Sequence, residues 1–287
     1  MAVGTNTVAI AAETPLDIYQ YLTVYSISSL EAQTTPVALL IDDADATVVN
    51  LTFPECDLDA EELGGVLTWE APSDVTEVTN YLVYLAEPPS CHGSDATAAV
   101  AGPYTLNVED TKGGWCRQRY AINELGHQNA TLPADTILVN LSHWLVYSSS
   151  SLAEQTTPAV VEIIDHNATV GTIDFVGTDL NMDVVNGSLV WQEPADLHCL
   201  ESYVVYIAAD ATGAGRSKLG ESPVGTNALQ IVDSDAYGGY THFVVYTRSS
   251  FVEQTTPNSL SFAAATAKYQ VSSPSFTDYD LDVGELG

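Results

Sequence analysis

Acidic side chains occur in closely spaced groups along this chain, and carboxylates at such spacing can bind a metal ion. One group, Asp42, Asp43 and Asp45, follows a Gln-Thr-Thr-Pro sequence, and a second contains Asp57 and Asp59. Calcium in proteins takes roughly six to eight oxygens from carboxylates, carbonyls and water. Both groups are therefore candidate calcium sites that would stiffen the chain near a domain junction. The spacing of an EF-hand loop is absent, and acidic turns exposed to solvent are the favoured interpretation.

No cofactor other than calcium is expected, and no catalytic residue is predicted. The 6 histidines are scattered without a paired-ligand spacing, so no firm metal site follows from them. The chain has no Gly-x-Ser-x-Gly nucleophile motif and no glycine-rich phosphate loop. The acidic groups also recur in several repeats of the chain. An active site, in contrast, needs only one set of catalytic residues. We therefore expect a protein that is not an enzyme.

The charge balance excludes several kinds of partner. The chain has 38 acidic and 7 basic residues, which gives a net charge of -31. Such a chain repels nucleic acid and anionic membranes, and it has few cations to clamp phosphate groups. It also lacks an apolar run of about 18 residues, the length that a membrane-spanning helix needs. We predict no nucleic-acid partner and no membrane insertion within this segment.

Asparagine sequons place the chain in the secretory pathway. Five Asn-x-Ser/Thr triplets occur, and such triplets accept glycans on surfaces of secreted proteins. We predict N-linked glycans at Asn50, Asn129, Asn140, Asn167 and Asn186. The expected location is therefore extracellular or on the cell surface.

A repeated sequence sets the domain organisation. Gln-Thr-Thr-Pro ends at Pro36, Pro158 and Pro257, so the copies are 122 and 99 residues apart (158 minus 36, 257 minus 158). These periods have the size of domains. The predicted organisation is the C-terminal part of a repeat at 1–36, a repeat at 37–158 with an insertion near 86–114, a repeat at 159–257, and the N-terminal part of a further repeat at 258–287. Truncation of a longer array is the favoured explanation of the partial ends, and strand exchange between neighbouring chains is the alternative.

The 4 cysteines fit an oxidising compartment. Cys91 and Cys116 bracket the insertion, and we predict a disulfide between them. Cys56 and Cys199 lie in different repeats. They could bridge those repeats, stay free or pair with another chain, and the sequence does not choose among these.

Runs of β-branched and aromatic residues, separated by glycine turns, predict an all-β fold of short strands in two packed sheets. The sequence LTWEAP at 67–72, followed by YLVY at 81–84, resembles the B and C strands of fibronectin type III domains. LVWQEP at 189–194 and YVVY at 203–206 repeat it. The resemblance implies tandem Ig-like β-sandwich repeats. It also implies that Trp69 and Trp191 are buried between the sheets. We expect these tryptophans, with Tyr84 and Tyr206, to hold each core.

These features predict a secreted structural glycoprotein that forms an extracellular rod, filament or surface appendage, with proline junctions fixing the angle between domains. Its expected partners are copies of itself or other repeats in a filament. One alternative is an extracellular binding or adhesion module for a carbohydrate or protein ligand, with Tyr104 and Trp115 of the insertion region as candidate aromatics. A second alternative is a set of accessory repeats of a larger secreted enzyme.

Overall fold

The structure, a computed structural model, describes residues 4–87, 110–112, 114–137, 141–177, 186–232, 238–267, 273–280 and 282–285. Nearly all the regular structure in these ranges is antiparallel β, which confirms the predicted all-β class. The chain forms two compact units. The first comprises Met1–Phe53, Val66–Thr131 and Val139–Ile163, and the second comprises Pro54–Gly65, Leu132–Leu138 and Ile164–Gly287.

The first ten strands form a hairpin and two sheets. They are β1 (Tyr21–Val24), β2 (Val37–Leu40), β3 (Val49–Thr52), β4 (Glu62–Glu70), β5 (Asn80–Glu87), β6 (Asp110–Lys112), β7 (Trp115–Glu124), β8 (Asn129–Ile137), β9 (His143–Ser149) and β10 (Ala159–Glu162). The strands β1 and β2 pair with each other, one sheet has the order β3-β4-β8, and the other has the order β10-β9-β5-β7-β6. The start of β4 and the end of β8 are counted with the second unit.

The remaining strands of the second unit form a three-stranded and a four-stranded sheet. They are β11 (Ile173–Gly177), β12 (Gly187–Trp191), β13 (Leu200–Ala208), β14 (Ser217–Pro223), β15 (Ala228–Ile231), β16 (His242–Ser249) and β17 (Asn258–Ser261), followed by the helix α1 (Phe262–Ala267). The sheet orders are β11-β12-β15 and β14-β13-β16-β17. Tandem fibronectin type III-like, Ig-like sandwiches are therefore the architecture of the chain, as the sequence predicted.

A tryptophan on the second strand of each sandwich lies in the core. Trp191 packs edge-on against Tyr203 with ring centroids 5.3 Å apart, and Trp69 packs against Tyr81 at 5.7 Å. Such aromatic pairs contribute about 0.5–1.5 kcal/mol beyond their buried area. The burial of both tryptophans is thus as predicted.

Tyr84 and Tyr206, expected to hold each core with the tryptophans, belong to separate hydrophobic clusters. Side chains alternate between the two faces of a strand, so Tyr84 cannot share the face that Tyr81 uses three residues earlier. It packs instead in a separate cluster with Leu145 and Tyr147. Tyr206 likewise packs against a cluster that contains Tyr246. Both tyrosines thus contribute to hydrophobic clusters, but on the strand face opposite to that of Tyr81 and Tyr203.

An arginine is held between two tyrosines on that second face. The Arg117 guanidinium lies 4.1 Å from the Tyr84 ring centroid and 4.6 Å from that of Tyr147. It also donates to a carboxylate oxygen of Glu154, whose other oxygen accepts a hydrogen bond from the Tyr84 hydroxyl at 2.9 Å. Burial and this hydrogen bond raise the pKa of Tyr84. The contacts fasten the loop that carries Gln-Thr-Thr-Pro to the sheet.

The second unit repeats this arrangement at its own loop. Arg216 lies 4.6 Å from the Tyr206 ring centroid and 4.1 Å from that of Tyr246. Its guanidinium donates to Glu253 Oε1 at 2.8 Å. In each unit, one arginine therefore binds the glutamate that directly precedes Gln-Thr-Thr-Pro, Glu154 in the first unit and Glu253 in the second.

Gln-Thr-Thr-Pro lies inside a hairpin and not between domains. The strand β10 begins directly after Pro158 and pairs antiparallel with β9, the strand before the motif. The strands β16 and β17 are joined in the same way around Pro257. The first unit ends at Ile163, five residues beyond the boundary at Pro158 that the repeats suggested. The proline therefore ends a loop and stands directly before an edge strand of the sheet.

Candidate metal centre

The second unit contains a segment that comes from the first sequence repeat. We call residues Pro54–Gly65 the Asp-Leu-Asp segment. Cys56 forms a disulfide with Cys199, and the two cysteines are 143 residues apart in sequence. Leu58 is fully buried in the core of the second unit, and its carbonyl accepts a hydrogen bond from the Ala168 amide at 3.1 Å. The two cysteines whose pairing the sequence left open are thus bonded to each other.

The Gln-Thr-Thr-Pro motif receives this segment. The Asp59 carboxylate accepts hydrogen bonds from the backbone amides of Thr255 at 2.6 Å and Thr256 at 2.9 Å. Both threonine hydroxyls donate to the same carboxylate. Gln254 is buried, and its side-chain amide donates to the Leu58 carbonyl at 3.4 Å and to Thr169 Oγ1 at 2.5 Å. The copy of the motif at residues 254–257 is therefore a receptor for this acidic segment.

Four carboxylates converge beside this contact. Asp57, Asp59, Glu62 and Asp135 each offer one oxygen, and these atoms lie within 4.8 Å of one another. Asp57 and Asp59 are almost completely buried. Within the described part of the chain, Asp57 Oδ1 and Glu62 Oε2 are buried without a hydrogen-bond partner. Two buried oxygens of this kind, on residues of one cluster, are groups that a cation could coordinate.

The electrostatics of the cluster favour a bound cation. Burial, together with the neighbouring carboxylates, raises the pKa values of Asp57 and Glu62 above their ordinary range. In the described ranges, none of the four carboxylates forms a salt bridge with a basic side chain. Buried like charges are costly unless a counter-charge joins them. A calcium ion would supply that charge, and carbonyls or water would complete its coordination.

The backbone around the cluster is unusual. Leu58, Glu61, Asp135 and Cys199 have φ values of 80°, 67°, 57° and 57°. Side-chain-bearing residues rarely adopt this left-handed region, which costs on the order of 1–3 kcal/mol at each position. The disulfide and the buried Leu58 hold the chain there. Such strain concentrates at binding sites, which agrees with the convergence of carboxylates.

A second acidic cluster has the same spacing. Asp280, Asp282 and Glu285 also bring three oxygens within 4.8 Å of one another. They match Asp57, Asp59 and Glu62 in sequence, but they are more exposed. The histidine at position 198 also lies near Cys56 and Cys199. That group is not a metal site, because the two sulfurs are bonded to each other.

The structure separates the two groups of aspartates that the sequence proposed as calcium ligands. Asp57 and Asp59 converge, and Asp135 joins them from β8, which no sequence spacing indicated. Asp42, Asp43 and Asp45 are exposed in the first unit. Asp45 accepts hydrogen bonds from the hydroxyl and the amide of Thr47, which lower the pKa of its carboxyl. Asp42 and Asp45 line a cavity of the first unit.

The predicted glycosylation sites differ in surroundings. Asn50, Asn129 and Asn167 are exposed, and Asn186 is half-buried. Asn140 lies outside the described residues. The Asn50 amide donates to Glu70 at 2.9 Å, so a glycan there would compete with this bond. Glycosylation at all five positions stays a prediction.

The insertion region is described only in part. Cys116 is disulfide-bonded, whereas Cys91 lies outside the described residues, so their pairing stays a prediction. Tyr104 also lies outside them. Trp115 packs against the cluster of Tyr84 and Tyr147, with its ring 4.9 Å from that of His143. A half-buried Trp115 gives little support to a binding surface at this place.

Comparisons with known proteins identify no family. The chain matches no protein-family model and no curated protein. It is similar to the FN1–FN3 domains of chicken CNTN1, with 12% identity, 79% of this chain and 70% of that chain covered, and a TM-score of 0.32. Domains A168–A170 of titin share 13% identity over 86% of this chain and 84% of that chain, with a TM-score of 0.28. None of the described helices is long and apolar enough to cross a membrane. The fold assignment therefore rests on the strand order and burial given above.

Proposed function

We propose that this chain is a secreted structural glycoprotein whose tandem sandwiches form an extracellular rod, filament or surface appendage, and that it is not an enzyme. The observation that carries the proposal is the Asp-Leu-Asp segment. It belongs to the first sequence repeat, yet it supplies Leu58 and Cys56 to the second unit. When a segment of one repeat completes the core of the next unit, the repeats are suited to form a continuous array that bears load.

Covalent and surface chemistry support an extracellular role. The Cys56–Cys199 disulfide is typical of oxidising compartments. Exposed sequons at Asn50, Asn129 and Asn167 could carry glycans. A net charge of -31 would keep such an array soluble and would oppose pairing through sheet edges.

Calcium has a defined place in this proposal. A calcium ion on Asp57, Asp59, Glu62 and Asp135 would neutralise buried carboxylates that the segment itself carries. Because binding to the folded state alone stabilises that state, calcium would stiffen the segment in its receptor. Extracellular fluids hold enough calcium for sites of only modest affinity.

Electron microscopy of the native glycosylated protein, in calcium and after chelation, tests the function. We expect regular filaments or rods whose axial repeat is a small number of sandwich lengths. Chelation is expected to make them more flexible or to disperse them. Single particles that stay dispersed and bead-like in calcium would contradict the structural role.

A further inference from the structure

Both sulfurs of the Cys56–Cys199 disulfide lie close to a histidine ring. Cys56, His198 and Cys199 each offer one ligand atom, and these three atoms lie within 4.8 Å of one another. Thiolate sulfur and imidazole nitrogen are the donors that Zn²⁺ prefers, whereas Ca²⁺ prefers oxygen. The two sulfurs cannot act as thiolates while they are bonded to each other. A metal can therefore bind this group only after the disulfide has been reduced.

Contacts other than the disulfide hold Cys56 in its place in the second unit. Its amide donates to the Gly64 carbonyl at 2.9 Å, and its carbonyl accepts a hydrogen bond from the Ser249 hydroxyl at 2.8 Å. A short distance along the chain, Leu58 is fully buried, and Asp59 is bound by the threonine amides of Gln-Thr-Thr-Pro. These contacts would keep Cys56 near its partner when the bond between the sulfurs is open.

A tight turn holds the other two ligands. His198 and Cys199 directly precede the strand β13, and the Leu200 amide donates to the Leu197 carbonyl at 3.2 Å across them. The His198 amide also donates to Asp196 Oδ1 at 2.9 Å. All of these bonds lie within one loop, so reduction of the disulfide leaves them intact.

A second histidine orients the ring of His198. The rings of His166 and His198 are stacked, with centroids 4.0 Å apart and an angle of 21° between their planes. His166 is itself fixed, because its Nδ1 lies 2.7 Å from Asp196 Oδ2 and its amide donates to Glu55 Oε2 at 3.2 Å. Loss of a group that orients a ligand commonly weakens metal binding by about 10–100-fold. His198 is exposed, so water can reach a metal bound there.

We propose that the reduced protein binds one Zn²⁺ ion through Cys56, Cys199 and His198, with water as the fourth ligand. A dithiol that reduces the disulfide supplies two electrons and two protons and becomes a disulfide itself, so both cysteines become thiols. The metal then displaces the two thiol protons, which pass to solvent. Two thiolates balance the charge of the ion, and the net charge of -31 attracts cations to the chain.

The distances suit this exchange. Zn–S bonds of about 2.3 Å at tetrahedral angles place two sulfurs about 3.8 Å apart. The Cα atoms of Cys56 and Cys199 are 5.3 Å apart, so the sulfurs reach that separation by rotation about the Cα–Cβ bonds. The hydrogen bonds of the two backbone segments are then unchanged.

The zinc ion would link the same two places as the disulfide. Cys56 belongs to the Asp-Leu-Asp segment, and Cys199 belongs to the loop before β13. Because a ligand that binds only the folded arrangement stabilises it, zinc would keep the segment in its receptor under reducing conditions. The segment therefore carries sulfur for a soft cation at Cys56 and oxygen for a hard cation at Asp57 and Asp59.

Cobalt titration tests the site, because Co²⁺ can replace Zn²⁺ and its thiolate complexes absorb light. The full chain is reduced with a water-soluble phosphine, which takes an oxygen from water and becomes its oxide. Excess calcium keeps cobalt off the carboxylates. We expect one equivalent of Co²⁺ to give thiolate-to-metal charge-transfer absorption, which Zn²⁺ then abolishes. Oxidised protein of the same sequence is the matched control and should give none, and a reduced protein without this absorption would overturn the proposal.

Variants assign the ligands. A background with Cys91 and Cys116 replaced by serine removes the other two of the 4 cysteines. In that background, Cys199→Ser should abolish binding of one equivalent, and His198→Ala should weaken it at least tenfold. His242→Ala, at the start of β16, is the matched control and should leave the affinity unchanged. Equal affinities of the H198A and H242A proteins would refute the histidine ligand.

Limited proteolysis measures the zinc link when a variant folds poorly. Reduced wild-type protein is expected to be cut within residues 54–65, and Zn²⁺ should slow this cleavage at least tenfold. Zn²⁺ should have little effect on reduced H198A protein. Zinc that fails to protect the reduced wild-type protein, or that protects H198A equally, would contradict the site. Neither measurement depends on filament formation, so the proposed structural function is tested separately.

Discussion

The Thr255 amide donates a hydrogen bond to Asp59 Oδ2 at 2.6 Å, although the two residues are 196 positions apart in sequence. The same carboxylate accepts from Thr256, so one aspartate satisfies two consecutive amides and two hydroxyls. Charge-assisted hydrogen bonds of this kind are about twice as strong as neutral ones. A motif that marks the period of the repeats therefore also fastens the Asp-Leu-Asp segment.

Replacing Asp59 with alanine should destabilise the second unit. Loss of the carboxylate leaves the threonine amides without their acceptor, and we expect a decrease of about 1–3 kcal/mol in the free energy of unfolding. Urea unfolding in a chelator isolates this effect from any bound cation. Asp43→Ala, at an exposed position of the first unit, is the matched control and should change little. Equal stability of both variants would contradict the role of Asp59.

Calcium should bind the cluster that contains Asp57. At a calcium concentration of about 100 times the dissociation constant, binding adds about 2.7 kcal/mol to the stability of the folded state. Asp57→Asn should weaken binding at least tenfold by isothermal titration calorimetry and abolish the calcium-dependent rise in Tm. Asp42→Asn is the control outside the cluster. Magnesium in place of calcium distinguishes a site selective for calcium from a general cation site.

The Cys56–Cys199 bond should contribute strongly to stability. It closes a sequence separation of 143 residues, for which loop-closure entropy gives a contribution of about 3–5 kcal/mol. Replacing both cysteines with serine should lower the midpoint of thermal unfolding, and it should expose residues 54–65 to protease. Limited proteolysis with mass spectrometry locates the cut. A variant that resists cleavage there would show that Leu58 and Asp59 suffice.

The two arginines should differ in importance because they differ in burial. Arg117 is 1% exposed and Arg216 is 36% exposed, although each pairs with a glutamate and lies near two tyrosines. Arg117→Met leaves Glu154 without its buried counter-charge and should cost about 3–5 kcal/mol. Arg216→Met is the matched control and should cost about 1 kcal/mol or less. Chemical unfolding of both variants measures the difference.

Glu221 should titrate far below an ordinary glutamate. Hydrogen bonds from Lys218 and Ser202, and the charge of Arg248, lower its pKa from 4.5 to about 2. Since the folded pKa is below the unfolded one, the stabilisation is complete above about pH 4.5 and is lost as the pH falls through about 2. A carbon-detected NMR titration of the carboxyl reads this midpoint. Lys218→Met should raise the midpoint, and Arg216→Met should not change it.

Local sequence patterns predicted much of the fold. Alternating apolar residues and glycine turns predicted an all-β fold of two packed sheets. The resemblance to fibronectin type III domains added the burial of Trp69 and Trp191, which the structure shows. The hairpin around Gln-Thr-Thr-Pro was not visible in the sequence, because a repeat shows its period and not which strands pair. The strand after Pro158 pairs with the strand before it, which only the register shows.

The candidate site was predicted in part for a similar reason. Asp57 and Asp59 stand out because they are two residues apart and their pattern recurs near the C-terminus. Asp135 lies alone on a distant strand, so nothing in its neighbourhood marks it as a ligand. The pairing of Cys56 with Cys199 depends on a segment that crosses the repeat boundary, and no local pattern records such a crossing.

The Cys56–Cys199 disulfide also limits how far the molecule can extend when it is stretched. Force applied at the two ends of the chain passes through this bond and bypasses the residues that it encloses, which include 66–131 and 139–163 of the first unit. About 500 Å of extended chain, at roughly 3.5 Å per residue, is thereby withheld from extension. Reduction of the bond would release that length, so the redox state of the surroundings sets how far each molecule can be drawn out under tension.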